Sequence, residues 1–347
     1  MGETLHMKNY IEHKGKVVIP DSQFKHVMAI ALDRRTGYKN GIIRCITSRE
    51  GDVEVKGYVD RSELHSIKGD SLESFQIGER LNIKNEKEII DGLLDKDHDF
   101  IGLEDPDIWI DEKTDLLHVY FTIPMIGKRN ANGKHISETR IHLGHAVGKN
   151  LDSLIMTDPI LIDNTGYDHA KEISIAPLNS KGFRYNLFES NIKGNIYKLS
   201  TVRLAICEDM GKPWKFGETV MNPEVWKIPW IGGHASPGPL FSKNFIDVGE
   251  GKLLGIINGR EANRKIGAEI KYGMFSVGLF IYDYENGKID WVSPEPLIRD
   301  SEAKTITFAS QFVETGKGEG ILYAHVDDSF VRAYTLKAEL LKSILPK

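Results

Sequence analysis

Cysteine is almost absent from this chain of 347 residues, which contains two in all, Cys45 and Cys207. Two cysteines exclude a disulfide-built scaffold and any metal site that rests on cysteine alone. No run of about 18 apolar residues occurs, so no membrane-spanning helix is predicted. The first residues, Met1–Lys8, lack the apolar segment of a secretory signal. The expected location is the reducing cytoplasm, although a mature protein whose signal had been removed would look the same.

The chain also lacks a marked excess of charge of either sign. It has 45 Lys and Arg against 50 Asp and Glu, a formal net charge of −5. This balance gives no overall attraction to a polyanion, so nucleic acid is not an expected partner. The Gly-rich segment Gly316–Gly320 is not followed by a helix pattern and is predicted to be a hairpin rather than a phosphate loop. No cofactor is therefore predicted.

Helical periodicity is scarce as well. Apolar residues at helical spacing occur clearly in Glu86–Lys96 and in the C-terminal Tyr334–Leu345, which are predicted to be helices. The rest of the chain consists of short β-branched and aromatic runs separated by Gly, Asn and Asp. This pattern is typical of an all-β protein.

The strands fall into groups that are separated by polar residues and a proline. Pro159, Pro223 and Pro296 mark such boundaries at a spacing of about 70 residues. Five units of this length fit the chain, which predicts a single domain over residues 1–347, a five-bladed β-propeller with a C-terminal helix. A pair of β-sandwiches is the alternative. The predicted units are 20–95, 98–165, 166–228, 229–300 and 301–335.

The most informative short segment is Glu104-Asp105-Pro106. Proline fixes its own φ and favours an extended conformation in the residue before it. The segment lies shortly before the apolar run His118–Ile123. A turn acid that opens a strand is the ordinary interpretation of such a segment. In a repeated β-fold, however, Asp105 would lie at a rigid strand entrance that can aim a carboxylate at a fixed point.

Comparable positions recur in the other units. Four segments have the small and polar residues expected of inner propeller strands: Glu104-Asp105-Pro106, Glu172–Pro177, His234–Leu240 and Ala309–Phe312. The second strand of three units also brings an acid to its end, namely Glu189, Glu261 and Asp327. Carboxylates that converge on one pocket are what glycosidic bond cleavage requires, since one protonates the leaving oxygen and another activates water or attacks.

Three of these segments together resemble a known family. Glu104-Asp105-Pro106 is similar to the Glu-Asp-Pro-Arg signature of glycoside hydrolase family 130, the β-mannosidases and β-mannoside phosphorylases. His234–Phe241 resembles the Gly- and Pro-rich strand of that family, and Tyr323–Asp327 resembles its C-terminal Tyr-Gly-Ala-Ala-Asp. The motifs occur in family order between residues 98 and 335. The related families 43 and 32 also carry Asp-Pro strand entrances.

The resemblance implies a five-bladed propeller with Asp105 as general acid and Asp327 as a ligand of a sugar hydroxyl. The chain departs from the family pattern at three places. Asp107 replaces the signature Arg, Asn258 stands where phosphorylases have a phosphate-binding His, and Glu189 stands where they have an Arg. A phosphate dianion would be repelled there.

These departures favour an inverting hydrolase of β-mannosides or related oligosaccharides, with Glu189 as general base and Glu261 as its helper. The remaining residues predicted to contact the sugar are Glu104, Asp107, His234, Asn258, Asp327 and Arg184. A phosphorylase, with a cationic subsite from Arg184, Arg260 or Arg264, and a non-catalytic sugar-binding propeller are the alternatives. Glu208 is the reserve acid. No metal site is predicted, because His142 and His145 have no third ligand at a recognisable spacing.

Overall fold

The computed structural model describes residues 10–12, 15–20, 23–55, 58–130, 137–191, 199–267 and 269–346. Its strands form five groups of antiparallel strands arranged as blades around a central channel. The third and fourth groups share one eight-stranded sheet through a single parallel pair, Ser200 with His234. The prediction of an all-β, five-bladed propeller is therefore confirmed. The first four predicted units each contain one blade, whereas the fifth, 301–335, stops before its last strand ends at Lys337 and omits the strand Tyr10–Glu12. Among the described residues, no helix is long and apolar enough to cross a membrane.

The blades are built from consecutive strands, with each inner strand first in chain order except in blade 2. Blade 1 contains β2 (His26–Leu32), β3 (Asn40–Glu50), β4 (Val59–Ser71) and β5 (Ser74–Arg80). Blade 2 contains β6 (His98–Phe100), β7 (Glu104–Ile110), β8 (Leu117–Gly127), β9 (Arg140–Gly148) and β10 (Ile155–Met156). Blade 3 contains β11 (Lys171–Ser174), β12 (Arg184–Asn191), β13 (Ser200–Cys207) and β14 (Lys215–Met221).

Blades 4 and 5 complete the ring, and the N-terminal strand closes it. Blade 4 contains β15 (His234–Leu240), β16 (Lys252–Arg260), β19 (Phe275–Asp283) and β20 (Lys288–Val292), with the small hairpin of β17 (Arg264–Ile266) and β18 (Glu269–Lys271) between its second and third strands. Blade 5 contains β21 (Thr307–Gly316), β22 (Glu319–Val326), β23 (Phe330–Lys337) and β1 (Tyr10–Glu12). Because β1 pairs antiparallel with β23, strands from both ends of the chain share one sheet.

The helices are short and lie outside the blades. Helix α1 spans Glu86–Leu93, α2 spans Pro223–Trp226 and α3 spans Ala338–Leu341. The C-terminal prediction is partly wrong, because Tyr334–Lys337 continues β23 and the helix begins only at Ala338. Tyr334 and Leu336, two residues apart, are both fully buried in the core between blades 4 and 5, and this spacing places them on one face of a strand.

The hydrophobic core lies between neighbouring blades rather than at the centre. One cluster joins blades 1 and 2, for example through Leu64 and Phe121, and another joins blades 5 and 1 through Val27 and Tyr323. Each sheet is thus covered on both faces. This explains why β8 is buried along nearly its whole length instead of alternating between buried and exposed residues.

The five inner strands contact one another in a closed ring and share a local irregularity. Each pairs with its neighbouring strand through a shifted register, as expected for a β-bulge, which re-aims a side chain. Three residues at these shifts have left-handed backbone: Ala29 (φ 49°), Asp105 (φ 47°) and Glu172 (φ 49°). This conformation costs an L-residue about 1–2 kcal/mol, and such strain is often found at functional sites.

Candidate active site

Asp105 lies at the bulge that opens β7, and the chain just before it is fixed against blade 1. Gly102 has φ 115°, and a Cβ added there would lie 1.8 Å from the carbonyl oxygen of Ser62. Only glycine allows this approach. In addition, the Ser62 hydroxyl donates to the Leu103 carbonyl at 3.3 Å. The strand entrance is thus fixed on both sides of Leu103, which supports the expectation of a rigid entrance.

Arg44 of β3 holds the two acids of this entrance. Its Nη1 donates to Asp105 Oδ1 at 2.8 Å and its Nη2 donates to Glu104 Oε1. Its Nε donates to Ser62 Oγ at 3.1 Å. Burial would lower the pKa of Arg44, but the two carboxylates outweigh burial and raise it. The guanidinium is therefore a permanent cation that orients both acids.

Glu172 occupies the corresponding bulge of the next inner strand, β11. Burial, followed by the nearby Asp105 carboxylate, raises the pKa of Glu172 well above its ordinary value. Burial also raises the pKa of Glu104 to about 7, against the opposing effect of Arg44. Both shifts favour the protonated form of these buried carboxyls over the ionised form. A protonated carboxyl beside a carboxylate is the arrangement that general acid catalysis uses.

Glu189 of β12 lies in a buried ion-pair cluster beside these acids. Lys171 Nζ lies 3.1 Å from Glu189 Oε1, and His234 Nε2 lies 2.9 Å from Glu189 Oε2. Burial alone would raise the pKa of Glu189, but His234 and Lys171 outweigh it and lower this pKa. Burial lowers the pKa of His234 against the opposing Glu189 charge, and the 2.9 Å contact between the two side chains does not have hydrogen-bond geometry. The Glu189 carboxylate is consequently a weak base in this state.

A cavity of about 270 Å³ opens beside Lys171 and His234. It lies where the inner strands begin, since Lys171 and His234 are the first residues of β11 and β15 and Thr305 lies just before β21. Its lining residues are Val53, Tyr58, Lys171, His234, Arg260, Asn263, Tyr272, Phe275, Thr305 and Ile306. Aromatic rings with a few convergent polar groups are typical of a small-molecule site.

Four of the nine sequence-predicted site residues lie together, and the other five lie apart from them. Asp105, Glu104, Glu189 and His234 lie together in the cluster described above. Asp327 follows β22, and its carboxylate accepts backbone N–H groups of Lys304, Thr305 and Ile306 at 2.8–2.9 Å. The neighbouring Asp328 is buried and pairs with Tyr58, whose hydroxyl donates to Asp328 Oδ2 at 2.8 Å. Asp328 thereby joins a residue of the cavity wall, whereas Asp327 binds the loop before β21.

Three further predicted residues lie apart from the cluster. The Asn258 side chain bonds both backbone groups of Ala309, at 3.0 and 2.8 Å, and so links blades 4 and 5. Glu261 pairs with Arg299 at 3.1 Å in a separate surface groove. The Asp107 carboxylate accepts the Ile108 N–H at 2.8 Å, and burial raises the pKa of Asp107 to about 7.

A second cavity, of about 790 Å³, lies at the opposite mouth of the channel, where the inner strands end. Arg184, which packs 5.5 Å from the Trp109 ring centre, and the reserve acid Glu208 line it. It is the larger space, but Glu172 and the Glu189 ion-pair cluster, which give the first site its chemistry, lie at the other mouth. We therefore place the candidate active site at the 270 Å³ cavity. Lys171 and His234 line this cavity and contact Glu189, whereas Glu104, Asp105, Glu172 and Glu189 are not among its lining residues.

Sequence reasoning missed Arg44, Glu172 and Asp328 as site residues, and it named Arg260 only as a cation of the alternative phosphate subsite. Arg44 and Glu172 had a usable signal, since Arg44 is a lone charge in the apolar run Gly41–Ile46, and Glu172 opens a segment already identified as an inner strand. Asp328 follows a strand pattern, where polar residues are common, and carried no distinguishing signal.

Comparison with solved structures supports the fold. A β-1,2-mannobiose phosphorylase from Listeria innocua, solved with β-1,2-mannobiose, matches with a TM-score of 0.65 at 12% identity, covering 97% of this chain and 99% of that chain. A glycosyl hydrolase from Bacteroides ovatus matches with a TM-score of 0.62 at 15% identity, covering 95% and 94%. A mannose phosphorylase from Leishmania mexicana, solved with phosphate ion, matches with a TM-score of 0.54 at 12% identity, covering 96% and 91%.

No family model matches the chain, and no curated protein matches it. At such low identity, the likeness to the solved structures concerns the fold. It confirms the five-bladed class that the repeat pattern and the ring of inner strands define.

Proposed function

We propose that this protein cleaves the glycosidic bond of an oligosaccharide at the 270 Å³ cavity. One observation carries the proposal: Asp105 and Glu172 occupy equivalent bulges of adjacent inner strands, and burial together with the Asp105 carboxylate raises the pKa of Glu172, which favours its protonated form. Cleavage requires that proton for the leaving oxygen. Arg44 fixes the orientation of Asp105 at 2.8 Å.

Glu172 is the proposed store of the proton that is delivered to the leaving oxygen. The resemblance assigned the acid role to Asp105, and the raised pKa of Glu172 supports adding Glu172 to that role. Substitution of each residue separates these roles.

Water is the proposed acceptor and a β-mannoside or a related oligosaccharide the proposed substrate. The mannoside assignment rests on the motif resemblance. Glu189 is the proposed base, and its basicity in the free protein is reduced by Lys171 and His234. A substrate hydroxyl that bound Lys171 or His234 would weaken the contact of that residue with Glu189. The pKa of Glu189 would then rise towards the range that suits a general base.

Phosphorolysis is the second candidate because of one specific observation. The sequence offered Arg260 only as an alternative cation, because Glu189 and Asn258 occupy the phosphate positions of the family, yet Lys171, His234 and Arg260 all line the cavity. Lysine and arginine are the usual ligands of a phosphate dianion.

The alternative of a non-catalytic sugar-binding propeller predicts binding without turnover.

The test is product analysis with a panel of β-linked mannosides, with and without inorganic phosphate. The expected result is free sugar at a rate that does not respond to phosphate. Formation of a sugar 1-phosphate would establish phosphorolysis instead. Binding of the panel with no product under either condition would contradict the proposed enzyme activity.

A further inference from the structure

The 790 Å³ cavity at the opposite mouth of the channel contains a buried histidine with an unused nitrogen. His118 of β8 lines this cavity and is only 7% exposed. Its Nδ1 lies 2.9 Å from Nε2 of the fully buried His145, whereas its own Nε2 has no hydrogen-bond partner among the described residues. Buried polar groups are normally hydrogen-bonded, so an unpaired nitrogen on a cavity wall indicates that a ligand completes the bonding.

The neighbours of His118 determine which form of its imidazole faces the cavity. The Thr157 hydroxyl donates to the Asp158 carbonyl at 3.0 Å, so its oxygen accepts from His145 Nδ1 at 2.8 Å. His145 Nε2 is then the acceptor for the Nδ1–H of His118. Burial lowers the pKa of both imidazoles, that of His145 to about 3, and both are neutral at pH 7. His118 therefore presents the lone pair of Nε2, which accepts a hydrogen bond from a hydroxyl.

Arg184 supplies hydrogen-bond donors on the same wall. Its guanidinium carbon lies 5.5 Å from the ring centre of Trp109, and its Nη1 donates to the Ala176 carbonyl. Its Nε and Nη2 have no hydrogen-bond partner in the part of the chain that the structure describes. Because a guanidinium carries five N–H donors, most of them are available to oxygen atoms of a ligand.

Aromatic and apolar side chains complete this wall. Trp109 and Tyr38 line the cavity together with Leu178, which is 48% exposed. Tyr38 has left-handed backbone, φ 61°, which is uncommon for a bulky residue and is often found at functional sites. The lining residues include three cations, namely Arg34, Lys113 and Arg184, and four acids, namely Asp111, Glu112, Glu208 and Asp209. Since these charges nearly balance, the wall favours a neutral ligand with hydroxyl groups and an apolar ring face.

This cavity is separate from the candidate active site. Trp109 lies four residues after Asp105 on β7, which corresponds to about 13 Å along a strand. A hydrogen bond spans about 3 Å between its heavy atoms, so a ligand atom in contact with Trp109 is out of reach of the Asp105 carboxyl.

We propose that the 790 Å³ cavity is a second, non-catalytic carbohydrate site that binds a neutral oligosaccharide. His118 accepts from one sugar hydroxyl and Arg184 donates to the oxygen of another, because a hydroxyl can act in both ways. The cavity is almost three times as large as that of the candidate active site, about 790 against 270 Å³, and so suits a longer piece of the sugar chain. The choice of mannosides as ligands rests on the proposed function, whereas the position of the site does not.

Isothermal titration calorimetry on the Asp105→Asn variant measures binding without interference from cleavage. The probes are β-1,2-linked and β-1,4-linked mannotetraose, with mannose as the short comparison. We expect at least one tetraose to bind saturably and at least about 10-fold more tightly than mannose. Where the candidate active site binds the same tetraose, two sites per chain are expected.

Arg184→Gln and His118→Gln in the same background are each expected to weaken binding at this site at least about 10-fold. Where two sites are seen, each variant should remove one of them. Arg61→Gln, at an exposed position of blade 1, is the matched control for Arg184→Gln and should leave binding unchanged. If His118→Gln fails to fold because His145 loses its partner, Arg184→Gln supplies the comparison.

Tryptophan fluorescence locates the bound sugar independently. Trp109 is the tryptophan among the lining residues, so a fluorescence change on binding should be lost in Trp109→Phe. Three results would each overturn the inference: no saturable binding of either tetraose, equal affinity and stoichiometry in Arg184→Gln, or a fluorescence change that persists in Trp109→Phe.

The result can be separated from that of the proposed cleavage. Tetraose binding that depends on Arg184, with no cleavage of either tetraose by the wild-type protein, would establish the second site and contradict the proposed function. Cleavage together with binding that does not depend on Arg184 would refute the second site alone.

Discussion

Asp105 and Glu172 have the same left-handed backbone, φ 47° and 49°, at the bulges of neighbouring inner strands. Their surroundings differ, because Asp105 is held by Arg44 whereas no ion pair to Glu172 occurs in the described part of the chain. Burial and the Asp105 carboxylate therefore raise the pKa of Glu172. One repeated backbone feature thus supplies an oriented carboxylate and a second carboxyl whose protonated form is favoured.

Asp105→Asn is expected to lower kcat by about 10³-fold or more, since a positioned acid–base group contributes about 10²–10⁴. Stability should change little, because Arg44 keeps Glu104 as a partner. Steady-state kinetics and thermal unfolding measure the two effects. Asp99→Asn, an exposed acid in the same blade, is the control. A near-normal rate in Asp105→Asn would move the acid role elsewhere, with Glu208 tested next.

Glu172→Gln is expected to lower kcat by about 10²–10⁴-fold at neutral pH and to alter the pH–rate profile. The wild-type rate should fall at alkaline pH, where Glu172 loses its proton, and the variant should lack this alkaline decline. A profile that keeps the decline would indicate that another group, Asp105 first, stores the proton.

The free energy of unfolding should fall as the pH rises above about 4.3, the ordinary pKa of a glutamate. Above that pH the unfolded chain loses the Glu172 proton while the folded protein keeps it, so the folded state binds more protons and loses stability until its own, raised pKa is passed. Glu104, with a pKa of about 7, adds to this trend. Urea titrations between pH 4 and 8 should show a smaller slope for Glu172→Gln, and an unchanged slope would contradict the assignment.

Arg44→Met is expected to lower the free energy of unfolding by about 3–5 kcal/mol, because it leaves two buried carboxyls without their cation. The loss should be smaller at low pH, where Glu104 and Asp105 can take up protons. Urea unfolding at two pH values measures this difference. Arg61→Gln, at an exposed position in the adjacent strand, should have little effect.

Gly102→Ala is expected to destabilise the fold by at least about 2 kcal/mol, since the φ of 115° is strained for alanine and its Cβ would meet Ser62. The same shift should misplace Asp105 and lower kcat in the fraction that folds. Gly92→Ala in α1 is the control, because a Cβ there meets nothing within 4 Å and alanine favours a helix. Equal stability of the two variants would contradict the close approach.

The repeat of strands and prolines was enough to predict the fold, since each blade is a local unit with its own turns. Four of the five inner strands were identified from polar or small residues. The fifth, His26–Leu32, has the apolar sequence of an ordinary core strand and gave no such signal. The predicted C-terminal helix was wrong for Tyr334–Lys337, because the spacing of the leucines does not show that Tyr334 and Leu336 pair with β22.

The sequence by itself determined the strand entrance at Asp105, because Gly102 and Pro106 act on the backbone within a few residues. Only the tertiary structure decided what surrounds that acid. Arg44 lies 61 residues away in the sequence, and the ion pairs of Glu189 join blade 3 to the first residue of blade 4. The charge state of each group depends on burial and on such distant partners, and both are fixed only when the ring of blades closes.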